Sequence, residues 1–166
     1  MPATVNPIPK GFHTVTPSLC VRNAADAIEF YKKALGAKEL VRMKTPDGRV
    51  MHAELQIGDS IIFLSDEFPE MGKTRAPQTL GGVTGVLNLY VEDVDTSFKR
   101  AVDSGASATM PVTDMFWGDR YGTITDPFGQ MWGLATHKED VSPQELEKRS
   151  QDFFGQMAKR AQKKTA

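Results

Sequence analysis

A chain of 166 residues makes one ordinary domain, or two small modules sharing a core, and is long enough to bury a sizeable interior. Twenty Lys and Arg against 21 Asp and Glu leave a formal charge of −1, so neither nucleic acid nor a membrane surface is expected as a partner. The single Cys20 cannot form an internal disulfide, and the proline-rich start Met1 to Lys10 lacks the apolar stretch of a signal peptide. No run approaches the roughly 18 apolar residues of a membrane span, and a reducing cytoplasm is the expected location.

Residues 1–12 read as a flexible arm. Thr14 to Val21, rich in Thr, Val, Leu and Ser, reads as a first strand with Thr14, Thr16, Ser18 and Cys20 on one face, although Pro17 points to an edge or a bulge. Asn23 is placed to cap a helix that carries Ala24, Ala27, Ile28, Tyr31 and Leu35 on one stripe and ends on Gly36. Strands are expected at Glu39 to Lys44, Val50 to Ile57 and Ser60 to Ser65, separated by Pro46-Asp47-Gly48 and Gly58-Asp59. Residues 67–83 hold prolines and glycines with little apolar pattern and read as a linker.

The chain then replays its first half. Val21-Arg22-Asn23 through Gly36 returns as Val91-Glu92-Asp93 through Gly105, about 70 residues later. Thr84 to Val91 reads as a strand, and Asp93 opens a helix with Val94, Phe98, Ala101 and Val102 at helical spacing. Strands at Ala108 to Thr113, Arg120 to Thr125 and Met131 to Thr136 follow, the last after the turn Asp126-Pro127-Phe128-Gly129. Both halves are therefore β-α-β-β-β, over residues 13–66 and 84–137, and together form one α+β domain. Residues 138–166 make a C-terminal helix and tail: Ser142-Pro143-Gln144-Glu145 is a helix-start signature, Leu146, Phe153, Phe154 and Met157 form an apolar stripe, and Lys159 to Lys164 read as a solvated basic end.

Three stretches together resemble the vicinal oxygen chelate superfamily, which includes glyoxalase I, bleomycin-resistance proteins and extradiol dioxygenases. They are Ala27-Ile28-Glu29-Phe30-Tyr31 with Leu35-Gly36, Leu89-Tyr90-Val91-Glu92-Asp93-Val94-Asp95, and Asp126-Pro127-Phe128-Gly129. The resemblance implies two βαβββ modules curled into a half-barrel around a cavity, usually completed by a homodimer. It also implies a divalent ion that chelates two substrate oxygens, held by residues from the first and last strands of each module. Those positions fall on Thr16, Phe63, Val86 and Gly133, where no imidazole or carboxylate stands. No cofactor is therefore expected at the usual place.

Other residues supply chemistry. His52, Glu54 and Gln56 alternate with Met51, Ala53, Leu55 and Ile57, so the polar set faces the cavity while the apolar set packs under the helix. His52 beside Glu54 could serve as a base and its partner, or as part of a relocated metal site. Trp117 offers a stacking surface and Arg120 a bidentate grip on a carboxylate or phosphate, with Asn88 and Tyr90 as further lining. Asp126 is read as a turn residue, Cys20 as a buried structural thiol and His137 as surface.

The expectation is a glyoxalase- and bleomycin-resistance-like dimer that binds a small polar or aromatic molecule without the usual ion. Two alternatives stand beside it: a metal-dependent lyase, isomerase or dioxygenase with relocated ligands, and a non-enzymatic interaction protein that uses its C-terminal helix.

Overall fold

The computed structural model describes residues 5–164, with side chains through residue 159. The first four residues of the arm and the side chains of the basic end from residue 160 lie outside the described residues.

The first module runs β1 (Ser18–Val21), α1 (Ala24–Leu35), β2 (Lys38–Lys44), β3 (Val50–Ile57) and β4 (Ser60–Asp66). A single helical turn, α2 (Pro77–Leu80), stands in the linker. The second module runs β5 (Leu87–Tyr90), α3 (Val94–Asp103), β6 (Ser107–Asp114), β7 (Asp119–Thr125) and β8 (Met131–His137), and α4 (Pro143–Lys164) is the last described element. Each module is an open mixed sheet of four strands, ordered β1-β4-β3-β2 and β5-β8-β7-β6. The duplication extends to register: Ser18 lies opposite Phe63 in β1/β4, and Asn88 opposite Gly133 in β5/β8.

One face of each sheet is closed by its own helix. Ile28, Tyr31 and Leu35 of α1 pack with Ala53, Leu55 and Leu64, while Val94 and Ala101 of α3 pack with Ile124 and Leu134, all in one continuous core. The two helices also join the modules. Tyr31 meets Trp132 with ring centroids 5.3 Å apart, its hydroxyl donates to Asp126 at 2.8 Å, and Arg100 Nε donates to the Ala34 carbonyl at 2.9 Å. Asp126 is indeed a turn residue, accepting the N–H groups of Phe128 and Gln130.

Two local expectations are corrected. The entry strands are half the predicted length; before β1, Pro17 has no N–H to donate, and its carbonyl accepts Phe63 N–H at 2.8 Å while the regular strand begins at Ser18. Asn23 does not cap α1 with its side chain; it takes the left-handed conformation (φ 61°) that Asn tolerates and bonds Asp26 instead. The cap comes from Asp66, whose Oδ1 accepts Ala24 N–H at 2.8 Å while Oδ2 accepts Val50 N–H at 2.7 Å. In the second module Asp93 does cap α3, through Thr96 N–H at 3.1 Å, and Thr136 takes the place of Asp66 by accepting Val94 N–H at 2.9 Å.

Helix α4 starts where its signature predicted, with Glu145 N–H on Ser142 Oγ and Leu146 N–H on the Ser142 carbonyl. It is anchored near its base: Arg149 grips Glu139 through two bonds of 2.8 Å, and Phe153 and Phe154 close on Phe116. Beyond that, Phe154 and Met157 are exposed.

Candidate functional site

With one face of each sheet under a helix, strand alternation turns every second residue to the open face. On the first sheet these are His52, Glu54 and Gln56 of β3 with Phe63 of β4, while Ala53, Leu55 and Leu64 are buried. His52 Nε2 and Glu54 Oε1 stand 3.4 Å apart, and the His52 ring lies 4.8 Å from Phe63. Part of the arm crosses here. Phe12 sits 5.9 Å from the Phe63 ring, and residues from Pro7 to Thr16 enclose a groove of about 380 Å³ with Glu54 and Phe63.

On the second sheet the open face carries Asn88 and Tyr90 of β5, Asp119 and Tyr121 of β7, and Gly133 of β8, with Trp117 on the turn before β7. Trp117 and Tyr121 pack edge to face at 5.9 Å, and Tyr121 donates to Asn88 Oδ1 at 3.3 Å. The centre of this face is Asp119, only 5% exposed. Its Oδ2 accepts Tyr90 OH at 2.9 Å and Trp117 Nε1–H at 3.1 Å, and its Oδ1 faces His137 Nδ1 at 2.7 Å. His137 Nε2 in turn lies 3.0 Å from Asp140 Oδ1. Burial pushes the Asp119 carboxyl up, but the donors His137, Tyr90 and Trp117 outweigh it and hold the group below its ordinary range. Hydrogen bonding to Asp119, then to Asp140, holds the His137 imidazole above its ordinary value.

The sequence-predicted residues therefore divide into two groups on two sheets. Gln56, His52 and Glu54 share one open face; Asn88, Tyr90 and Trp117 share the other. Arg120 joins neither. Alternation along β7 turns it toward α3, where Nε and Nη2 pair with Asp95 at 2.6 and 2.7 Å and Nη1 reaches Asp114 at 3.1 Å, so its guanidinium is already occupied. Sequence reading missed Asp119; His137 is exposed, as read, and what was missed is its pairing with Asp119. The missing signal was register: antiparallel pairing of β7 with β8 sets Asp119 opposite His137, one residue beyond the predicted end of the last strand.

The positions where the resemblance puts metal ligands do not fit an ion. Phe63 presents a ring packed between Phe12 and His52. At Gly133 a Cβ would overlap Asn88 Oδ1 and stand 2.6 Å from the Tyr121 hydroxyl, so a ligating side chain would have to displace both. Val86 offers no lone pair and Thr16 only a neutral hydroxyl. Among the described residues, no three His, Cys, Asp or Glu side chains are grouped to hold a metal, so His52 and Glu54 lack a third such partner.

Comparison with known proteins agrees with this architecture. The pattern of the Glyoxalase/Bleomycin resistance protein/Dioxygenase superfamily matches residues 11–134. An uncharacterised protein of Mycobacterium bovis is 42% identical over 135 residues, covering 80% of this chain and 89% of its own. Among solved structures, TioX from Micromonospora sp. ML1 superposes with a TM-score of 0.61 at 25% identity, over 74% of this chain and 97% of its own. An Arabidopsis thaliana gene product superposes with the same TM-score at 29% identity, over 75% and 98%. Matched by that pattern over most of its length and built of two βαβββ modules, the chain belongs to the Glyoxalase/Bleomycin resistance protein/Dioxygenase superfamily.

Proposed function

We propose that the protein binds a small polar-aromatic molecule on the open face of its second module, against Trp117, Tyr121, Tyr90 and Asn88. The observation that carries this reading is Asp119: a nearly buried carboxylate that orients Tyr90, Trp117 and His137 at once. Side chains fixed in this way lose little rotational freedom when a ligand arrives, which favours binding. Tyr90 is 68% exposed although its hydroxyl is held, so its ring is available as a contact surface. Aromatic rings with fixed polar edges suit a compact ligand that is apolar on its faces and polar at its rim.

The family resemblance supports a homodimer in which the open face of one chain is covered by its partner. Val41 and Met43 are exposed on β2, whose register sets them opposite Glu54 and His52, which gives the first sheet apolar surface to bury in such a contact. The reading needs no ion at the usual positions.

Titration with small aromatic compounds, followed by tryptophan fluorescence, tests it. Trp132 is fully buried, so saturable quenching should come from Trp117 and vanish in Trp117→Phe. Quenching that persists unchanged in the variant would place the ligand elsewhere.

A further inference from the structure

The open face of the second module ends in a built corner that the metal-centred chemistry of the superfamily does not use. Both nitrogens of His137 face carboxylate oxygens, Nδ1 at 2.7 Å from Asp119 and Nε2 at 3.0 Å from Asp140. A carboxylate only accepts, so the ring satisfies both contacts as hydrogen bonds when it is protonated on both nitrogens. The two carboxylates differ in every other respect. Asp119 is nearly buried and holds three donors; Asp140 is fully exposed, and its only hydrogen bond among the described residues is the one to His137.

The loop that carries Asp140 is fixed from below. Lys138 and Glu139 N–H both donate to the Gly118 carbonyl, at 2.9 and 3.0 Å. Gly118 has φ of +99°, and a Cβ there would overlap the Glu139 carbonyl oxygen, so only glycine lets the loop lie this close. Arg149 of α4 clamps Glu139 from the other side. Asp140 can therefore leave His137 by rotating its own side chain while the loop stays in place.

Resting on the reading that this face binds an aromatic molecule, we propose that the ligand is an aryl carboxylate whose carboxylate displaces Asp140 from His137 Nε2. Asp140 Oδ1 marks the position for one negatively charged oxygen on His137 Nε2, and an exposed ion pair of this kind contributes little to stability, so its exchange costs little. At His137 Nε2 one carboxylate replaces another, while Asp140, still tethered to its loop, turns out into solvent where its charge is screened. The incoming group adds what Asp140 lacks, a ring to lie against Tyr90 and Trp117. Those two are held on Asp119 Oδ2 while His137 is held on Oδ1, within one carboxylate's width. His137 is thus a binding residue and Asp119 its positioning residue.

The test uses the full chain and two probes with the same ring and similar size, charged benzoate and neutral benzyl alcohol, with binding followed by the amide and indole N–H resonances. Benzoate should bind at least tenfold tighter than benzyl alcohol. His137→Gln should abolish that preference while benzyl alcohol still binds, and Asp140→Ala should tighten benzoate several-fold without changing benzyl alcohol. Equal binding of the two probes, or weaker benzoate binding in Asp140→Ala, would overturn the carboxylate assignment and leave the aromatic site standing. Binding of neither probe at this face would overturn both.

Discussion

The Tyr31 hydroxyl donates to Asp126 Oδ2 at 2.8 Å, and this bond ties the helix of the first module to the turn before the last strand of the second. Asp126 also accepts from Trp132 Nε1 and from the N–H groups of Phe128 and Gln130, so one turn residue organises the junction. Tyr31→Phe keeps the ring and removes the donor. It should cost about 1.5–3 kcal/mol, the range for a hydrogen bond to a charged group, measured as a lower urea midpoint at unchanged m. A loss below about 0.5 kcal/mol would mean that this hydrogen bond contributes little to joining the modules.

Asp66 has a comparable role inside the first module. Replacing it with Ala strips partners from Ala24 N–H and Val50 N–H together, both buried. The expected cost is about 2–4 kcal/mol, a lost cap plus an unsatisfied strand donor. Asp66→Asn should recover part of this, because its amide oxygen can still accept one of the two. Chemical denaturation of both variants separates the outcomes.

Opposite pKa shifts at Asp119 and His137 define a pH window. His137 is raised by its carboxylates, so its contribution is complete below its ordinary value of about 6.5 and is lost as pH rises through the raised folded value. Asp119 is lowered by its donors, so its contribution is complete above about 3.9 and is lost as pH falls through the lowered folded value. The stability gap between the native chain and His137→Gln should therefore be widest between about pH 4 and 6.5 and narrow on the alkaline side. Urea midpoints at several pH values check this, and a gap that grows with alkalinity would contradict the pairing.

A side chain at Gly133 should be costly. Gly133→Ala would push on Asn88 and Tyr121, at an expected cost of about 1–3 kcal/mol for overpacking. The same variant should weaken any ligand held by those two residues. A stable Gly133→Ala with native binding would show that the hollow above Gly133 is not occupied as described.

Much of the fold was legible in the sequence because its signals are local. The repeated strand-cap-helix-glycine unit and the Ser142 helix start each depend on a few adjacent residues. What was not legible depends on partners far along the chain. Asn23 has the right chemistry for a cap, but the carboxylate that reaches Ala24 is Asp66, 42 positions away. Arg120 was grouped with Trp117 by proximity, whereas strand alternation alone turns it to the opposite face from Asp119 and Tyr121. His137 is exposed, as its charged neighbours suggest, and only the extra residue of β8 sets it opposite Asp119.

Chemical-shift mapping with a library of small aromatic compounds tests the central claim most directly. Saturable shifts should cluster on Asn88, Tyr90, the Trp117 indole, Asp119, Tyr121 and His137, and leave His52, Glu54 and Gln56 still. Shifts confined to the first sheet, or none from any compound, would contradict a ligand site on the second module.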